Sequence, residues 1–188
     1  MAKKTTEQSK RILKIVIMAM LAALAVVIGL YKIPIIPMAP WLTLDFADIP
    51  ILIAAMLFGT VPGLIVLFVV CMIQAFLLGG DGWIGLIMHF VSSGILVILV
   101  GILCRRKQTL TRLIITAAIG VVLVTAVMIP MNYIFTPILN PSATKEVIDT
   151  FLLPAIIPYN LVQTSVSGAG FVLLFMSLRP FLKKNNLI

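Results

Sequence analysis

Eight side chains in this sequence can hold a small molecule by hydrogen bonds: Thr43, Asp45, Asp48, His89, Asn132, Tyr159, Asn160 and Gln163. They come from four separate stretches, each bordered by long apolar runs. Amides and hydroxyls donate and accept, and the two carboxylates add strong acceptors. Such a set suits capture of a neutral, hydrogen-bonding solute, and the carboxylates also admit a cationic one. Covalent chemistry is less well served. His89 and Ser93 stand four apart, a spacing that brings them to one helix face. A working dyad also needs an oriented base and an oxyanion hole, and the run Val91-Ser92-Ser93-Gly94 reads more simply as small-residue helix packing. The chain has no glycine-rich phosphate loop with a Lys-Ser/Thr pair, so it does not hydrolyse ATP by itself. One histidine and two distant cysteines, Cys71 and Cys104, form no metal-ligand spacing, and the cysteines read as packing residues.

The elements that must position these groups follow from composition. Of 188 residues, 62% are hydrophobic and 11% charged, against about 45–50% and about 25% in soluble domains. With a mean hydropathy of +1.22, too little polar surface remains to cover a water-soluble core. The reading is an all-α integral membrane protein, one domain over residues 1–188, with six transmembrane helices. The runs are 12–30, 49–58, 64–78, 83–104, 113–135 and a last helix starting near Pro158. The second is anomalous, because ten residues rise only about 15 Å where the hydrocarbon core is about 30 Å thick. Within the outer loop 31–48, Pro34, Pro37 and Pro40 hold residues 31–44 in an irregular, extended connection. Turns are expected at 59–63 and 79–82, a second long loop at 136–150, and a short basic tail at about 1–11. Asp48 is placed to N-cap the short helix, with Pro50 in its first turn.

Charge sets the orientation. Twelve Lys and Arg residues fall in the tail, the 105–112 cluster and the C-terminal end, against Lys32 and Lys145 on the other side. By the positive-inside rule both termini are cytoplasmic. The basicity is therefore topological, with membrane lipid and not nucleic acid as its counterpart. Asp45, Asp48, Asp81, Glu146 and Asp149 lie on the outer side, and the eight polar groups share a depth near the outer face. Their convergence reads as a pocket with placed polar contacts in an apolar lining. Asn132 and Asn160 either meet a ligand there or bond across helices. Trp41 and Trp83 read as interfacial anchors, Trp41 bordering the pocket. A self-contained carrier or exporter usually has an ionisable residue at mid-membrane, where a charge costs about 2.5–3.5 kcal/mol. Helices 1, 3, 5 and 6 have no acid at their centres.

The segment Leu44-Asp45-Phe46-Ala47-Asp48-Ile49-Pro50, followed by Leu57-Phe58-Gly59 and Pro62-Gly63, resembles the riboflavin-specific substrate-binding subunits (S components) of energy-coupling-factor vitamin transporters. The resemblance continues through His89-Phe90, Asn132, Thr136-Pro137 and Pro158-Tyr159-Asn160-Leu161. It implies six helices, a vitamin bound near the outer face under the loop between helices 1 and 2, and no ATPase activity in this subunit; no enzyme activity and no cofactor beyond the transported ligand are expected. Energy would come from a separate membrane coupling protein and two cytoplasmic ATPases. The small residues Ala19 and Ala23 match an A-x-x-x-A-like contact with that coupling protein, with intramolecular packing as the alternative. The implied ligand site comprises Trp41, Thr43, Leu44, Asp45, Asp48, His89, Asn132, Tyr159, Asn160 and Gln163. The chain departs from the family at Gln163, where lysine is common, and at His89, where asparagine is common. Riboflavin is neutral, with an imide edge and a polyol tail, and suits such a site. Anionic vitamins want Arg or Lys, of which the outer half offers only Lys32 and Lys145. An S component for another vitamin, such as cationic thiamine, and a self-contained carrier are the alternatives.

Overall fold

The computed structural model describes residues 2–78, 82–105 and 108–184. The expected turn at 79–82, apart from Gly82, falls outside those residues, as do Asp81, Arg106 and Lys107. The elements in chain order are α1 (Ala2–Ile28), β1 (Ile33–Pro34), β2 (Thr43–Leu44), α2 (Asp48–Phe58), α3 (Thr60–Leu77), α4 (Gly82–Leu99), α5 (Leu110–Leu139), α6 (Lys145–Phe151) and α7 (Ile157–Lys184). A π-turn, Val100–Cys104, extends α4, and a second, Leu152–Ile156, joins α6 to α7. Five helical stretches are long and apolar enough to cross a membrane, the last running from Lys145 to Lys184. With the short α2 they make a six-helix bundle.

Several boundaries differ from the sequence expectation, each for a local reason. α1 runs back through the basic tail, since Lys, Glu, Gln and Arg are good helix formers and no glycine or proline intervenes before Gly29. Only Gly59, at φ 97°, is needed to turn α2 into α3. Pro62 then sits in the first turn of α3, where its missing N–H costs nothing. The 136–150 loop shrinks to residues 140–144. α5 continues past Pro137 to Leu139, and residues 145–151 form α6 with Glu146 in its first turn. Pro158 does open α7, but α7 is continuous with the helical turns before it.

α2 is the centre of the bundle. Residues 50–56 are all buried, hydrophobic on every face as a core helix must be. They pack against α1, α3, α4 and α7, with Ile51, Leu52 and Met56 joining Leu67, Phe171 and Phe175 in the core. Two cations attend the last turn of α2. Lys14 Nζ lies 5.7 Å from the Phe58 ring centroid, a cation–π placement. A side chain at Gly59 would meet the Arg105 guanidinium, 2.9 Å from Nη1. That guanidinium stands where the α2 carbonyls concentrate partial negative charge.

Candidate functional site

The end of the bundle carrying residues 31–47 and 140–144, the loop end, holds the polar groups. Ile33 pairs with Leu44 and Pro34 with Thr43 in a two-residue antiparallel ladder, which folds the proline-rich loop into a hairpin. Its second strand runs into α2 alongside α7. The Tyr159 hydroxyl donates to the Thr43 carbonyl at 3.0 Å. Gln163 Oε1 accepts the Asp45 N–H at 3.2 Å, and its Nε2 donates to the Asp45 carbonyl at 3.0 Å. Both functions of the Gln163 amide are thus used on the loop backbone. Leu44 and Ala47 are buried beneath this segment.

Asp48 does not cap α2. Ala47 occupies the N-cap position with helical dihedrals and no side-chain cap. Asp48, the first helical residue, turns its carboxylate into the bundle. Oδ1 lies 3.4 Å from His89 Nε2, and Oδ2 accepts the Ser167 hydroxyl at 3.1 Å. Ser93 also faces this carboxylate, and the Cys71 thiol lies against the imidazole. Four helices therefore meet at one buried charge, as a carboxylate away from water requires.

Asn132 and Asn160 are buried and bond along their own helices, not across to neighbours. Asn132 Nδ2 donates to Met128 O at 2.8 Å and its Oδ1 accepts the Thr136 hydroxyl at 3.3 Å, while Asn160 Nδ2 donates to Ile156 O at 2.8 Å. Each Nδ2 carries two hydrogens, so each amide keeps a donor beyond these bonds. Trp41 is exposed and packs edge-on against Phe151 of α6, with centroids 5.7 Å apart. Trp83 makes a similar contact with Phe135. Tyr133 bonds Asp149 across the α5–α6 corner. Beside that corner a cavity of about 530 Å³ is lined by Tyr133, Pro137, Lys145 and Ile148, none of them among the ten residues singled out in the sequence. Ala19 and Ala23 are both exposed on α1, whereas Ala22 and Ala25 face the bundle. The small-residue pair is therefore not internal packing.

Ser167 escaped the sequence reading, and Ser93 and Cys71, read there as packing residues, instead attend the Asp48–His89 pair. Ser167 had a signal: Tyr159, Gln163 and Ser167 recur every four residues along one helix face.

Asp45 is the strained member of the group. Burial, reinforced by the charge of Asp48, holds its carboxyl above the ordinary value of 3.8, against smaller opposing effects of His89, the Ala47 N–H and Lys32. A raised pKa in the folded state means a contribution to stability that is complete below 3.8 and lost as pH rises through the folded value. At neutral pH the ionised group therefore opposes docking of the loop. Asp45→Asn keeps an acceptor for the Ala47 N–H, which now bonds Oδ1 at 3.1 Å. The variant is expected to melt higher than the parent at pH 7 in ligand-free form, with the gap closing as pH falls toward 4. A lower melting temperature at pH 7 would show the carboxylate to be stabilising.

A bundle of apolar helices with a polar group cluster folded under one hairpin has the form of a membrane solute-binding component. Residues 13–178 match the family described as "ECF transporter, substrate-specific component", and the chain belongs to that family. It is 30% identical over 187 residues to "Riboflavin transporter RibU" of Staphylococcus aureus (strain TCH60), covering 97% of both chains. It is 28% identical to the protein of the same name from Streptococcus thermophilus (strain ATCC BAA-250 / LMG 18311), over 91% of this chain and 85% of that one. "Riboflavin transporter FmnP" of Bacillus subtilis (strain 168) is 23% identical, over 93% and 96%. A solved structure described as "Structure and mechanism of the S component of a bacterial ECF transporter" superposes with a TM-score of 0.79 at 29% identity, covering 92% of this chain and 99% of that one. The chain is thus a transport component and not an enzyme.

Proposed function

We propose that this chain is the riboflavin-binding subunit of a vitamin uptake transporter. It forms one six-helix domain over residues 1–188 in the cell membrane, with both termini cytoplasmic and the loop end outside. It captures ligand without energy input, and a membrane coupling protein with two cytoplasmic ATPases drives uptake. The orientation is supported by the division of basic residues, twelve against Lys32 and Lys145. The ligand reading is supported by three relatives named as riboflavin transporters.

One observation carries the chemistry: the charge of Asp48 faces His89, so the carboxylate is directed at a protein partner and not at a cationic ligand. That favours a neutral molecule over thiamine. Asn132 and Asn160, with donors left over and facing helices that pack closely, suit the alternating donors and acceptors of an imide edge or a polyol. Thr43, Leu44, Asp45, His89 and Tyr159 complete the wall, with Trp41 at the rim.

The test is riboflavin affinity of Asn132→Ala and Asn160→Ala, read by quenching of flavin fluorescence. A buried amide partner lost from a ligand costs about 1–3 kcal/mol, or roughly tenfold to a hundredfold in Kd. Thermal stability without ligand should change little, because the side-chain bonds of both residues stay within one turn of their own helix. A fall in stability with unchanged affinity would remove both asparagines from the site, and a parent protein that takes up no flavin would sink the ligand assignment.

A further inference from the structure

Tyr159, Gln163 and Ser167 stand on one face of α7 and meet the loop in order, at Thr43, Asp45 and Asp48. The spacing explains why three successive rungs form. Four residues of helix rise about 6 Å, and two residues of extended chain advance about 6.6 Å. Residues 43–45 therefore keep pace with 159–163 as the two segments run side by side in the same direction. The third rung falls where the loop turns into α2, whose residues 50–56 are buried on every face. Gln163 has little left for a solute, since its Nε2 also lies 3.4 Å from Ser167 Oγ.

We propose that this ladder is a positioning device that holds residues 43–48 as the fixed wall of the ligand site. Gln163 acts on the ligand only through the backbone of Asp45, and Ser167 acts through Asp48. A glutamine is specific to the task, because a single side chain must both accept an N–H and donate to the carbonyl of the same residue.

The experiment measures hydrogen exchange of the full chain in detergent, without ligand, for the parent, Gln163→Leu and Tyr159→Phe. The Asp45 amide is bonded to Gln163, so its exchange should quicken about tenfold or more in Gln163→Leu while amides of 51–56 stay protected. Tyr159→Phe removes only a hydroxyl and should fold normally, with a smaller rise confined to 43–46. In parallel, riboflavin dissociation from Gln163→Leu should quicken about tenfold with association nearly unchanged. This second arm rests on the riboflavin reading, and the exchange arm does not. Faster exchange in protein that binds no riboflavin, parent included, would support the ladder and overturn only the ligand assignment. Unchanged exchange in both variants would overturn the ladder, and a loss of affinity alongside it would make Gln163 a direct ligand contact.

Discussion

Tryptophan in place of Ala19 or Ala23 is expected to abolish uptake by the assembled transporter while leaving equilibrium binding of ligand within about twofold. The two alanines lie one turn apart on the exposed face of α1. Small side chains let a second helix backbone come close, and an indole there holds it off. α1 touches the bundle through its other face, where Ala22 and Ala25 are buried, so the substitutions leave the core untouched. The measurement is flux into vesicles holding this chain, the coupling protein and the ATPases, set beside flavin binding by the purified variant. Loss of binding together with flux would count against a coupling surface. Uptake by the parent chain in vesicles lacking the other components would favour a self-contained carrier.

The second large effect belongs to Asp48. Asp48→Ala removes the shared acceptor of His89 and Ser167 and strands them among apolar helices. Removing one partner of a buried pair costs about 3–5 kcal/mol. Because the His89 side chain is 24% exposed, the lower end applies. At about 2–4 °C per kcal/mol for a chain of this size, the melting temperature should fall by roughly 6–12 °C. Asp48→Asn, which still accepts from Ser167, should lose clearly less. The double variant Asp48→Ala with His89→Ala should recover part of the loss, since no imidazole is then left unpaired. Equal losses in Ala and Asn would mean that the Ser167 hydroxyl bond contributes nothing and that the carboxylate charge facing His89 carries the effect.

The six apolar segments were legible because hydrocarbon leaves the backbone no alternative to helix, and the brevity of α2 showed in its ten-residue run. The meeting of residues 43–48 with 159–163 was legible in outline, as polar groups at one depth. Their partners were not. Asp48 and His89 are 41 residues apart and on different helices, and no periodicity links them, whereas capping is a local rule that Asp48 also satisfied. Gln163 read as a ligand contact because an amide's donor and acceptor suit a solute and a peptide group equally well. α6 was hidden by its composition, since Lys145-Glu146-Val147-Ile148-Asp149-Thr150 looks like a polar loop until Glu146 is placed in a first turn. The π-turns were invisible, because each shifts the apolar stripe by a residue and blurs the very period used to find helices.

Those π-turns bear on how chains of this kind can change length. A π-turn is an extra residue absorbed within a helix while the flanks keep their facing. One residue fewer within Val100–Cys104 would leave an ordinary helix, with Arg105 still directed at Gly59. The same deletion in the middle of α4 would swing everything beyond it by about 100°. Leu152–Ile156 sits between the corner at residues 140–144 and the first rung at Tyr159. Insertions and deletions in that corner can be taken up there, and the register of residues 159, 163 and 167 against the loop survives them.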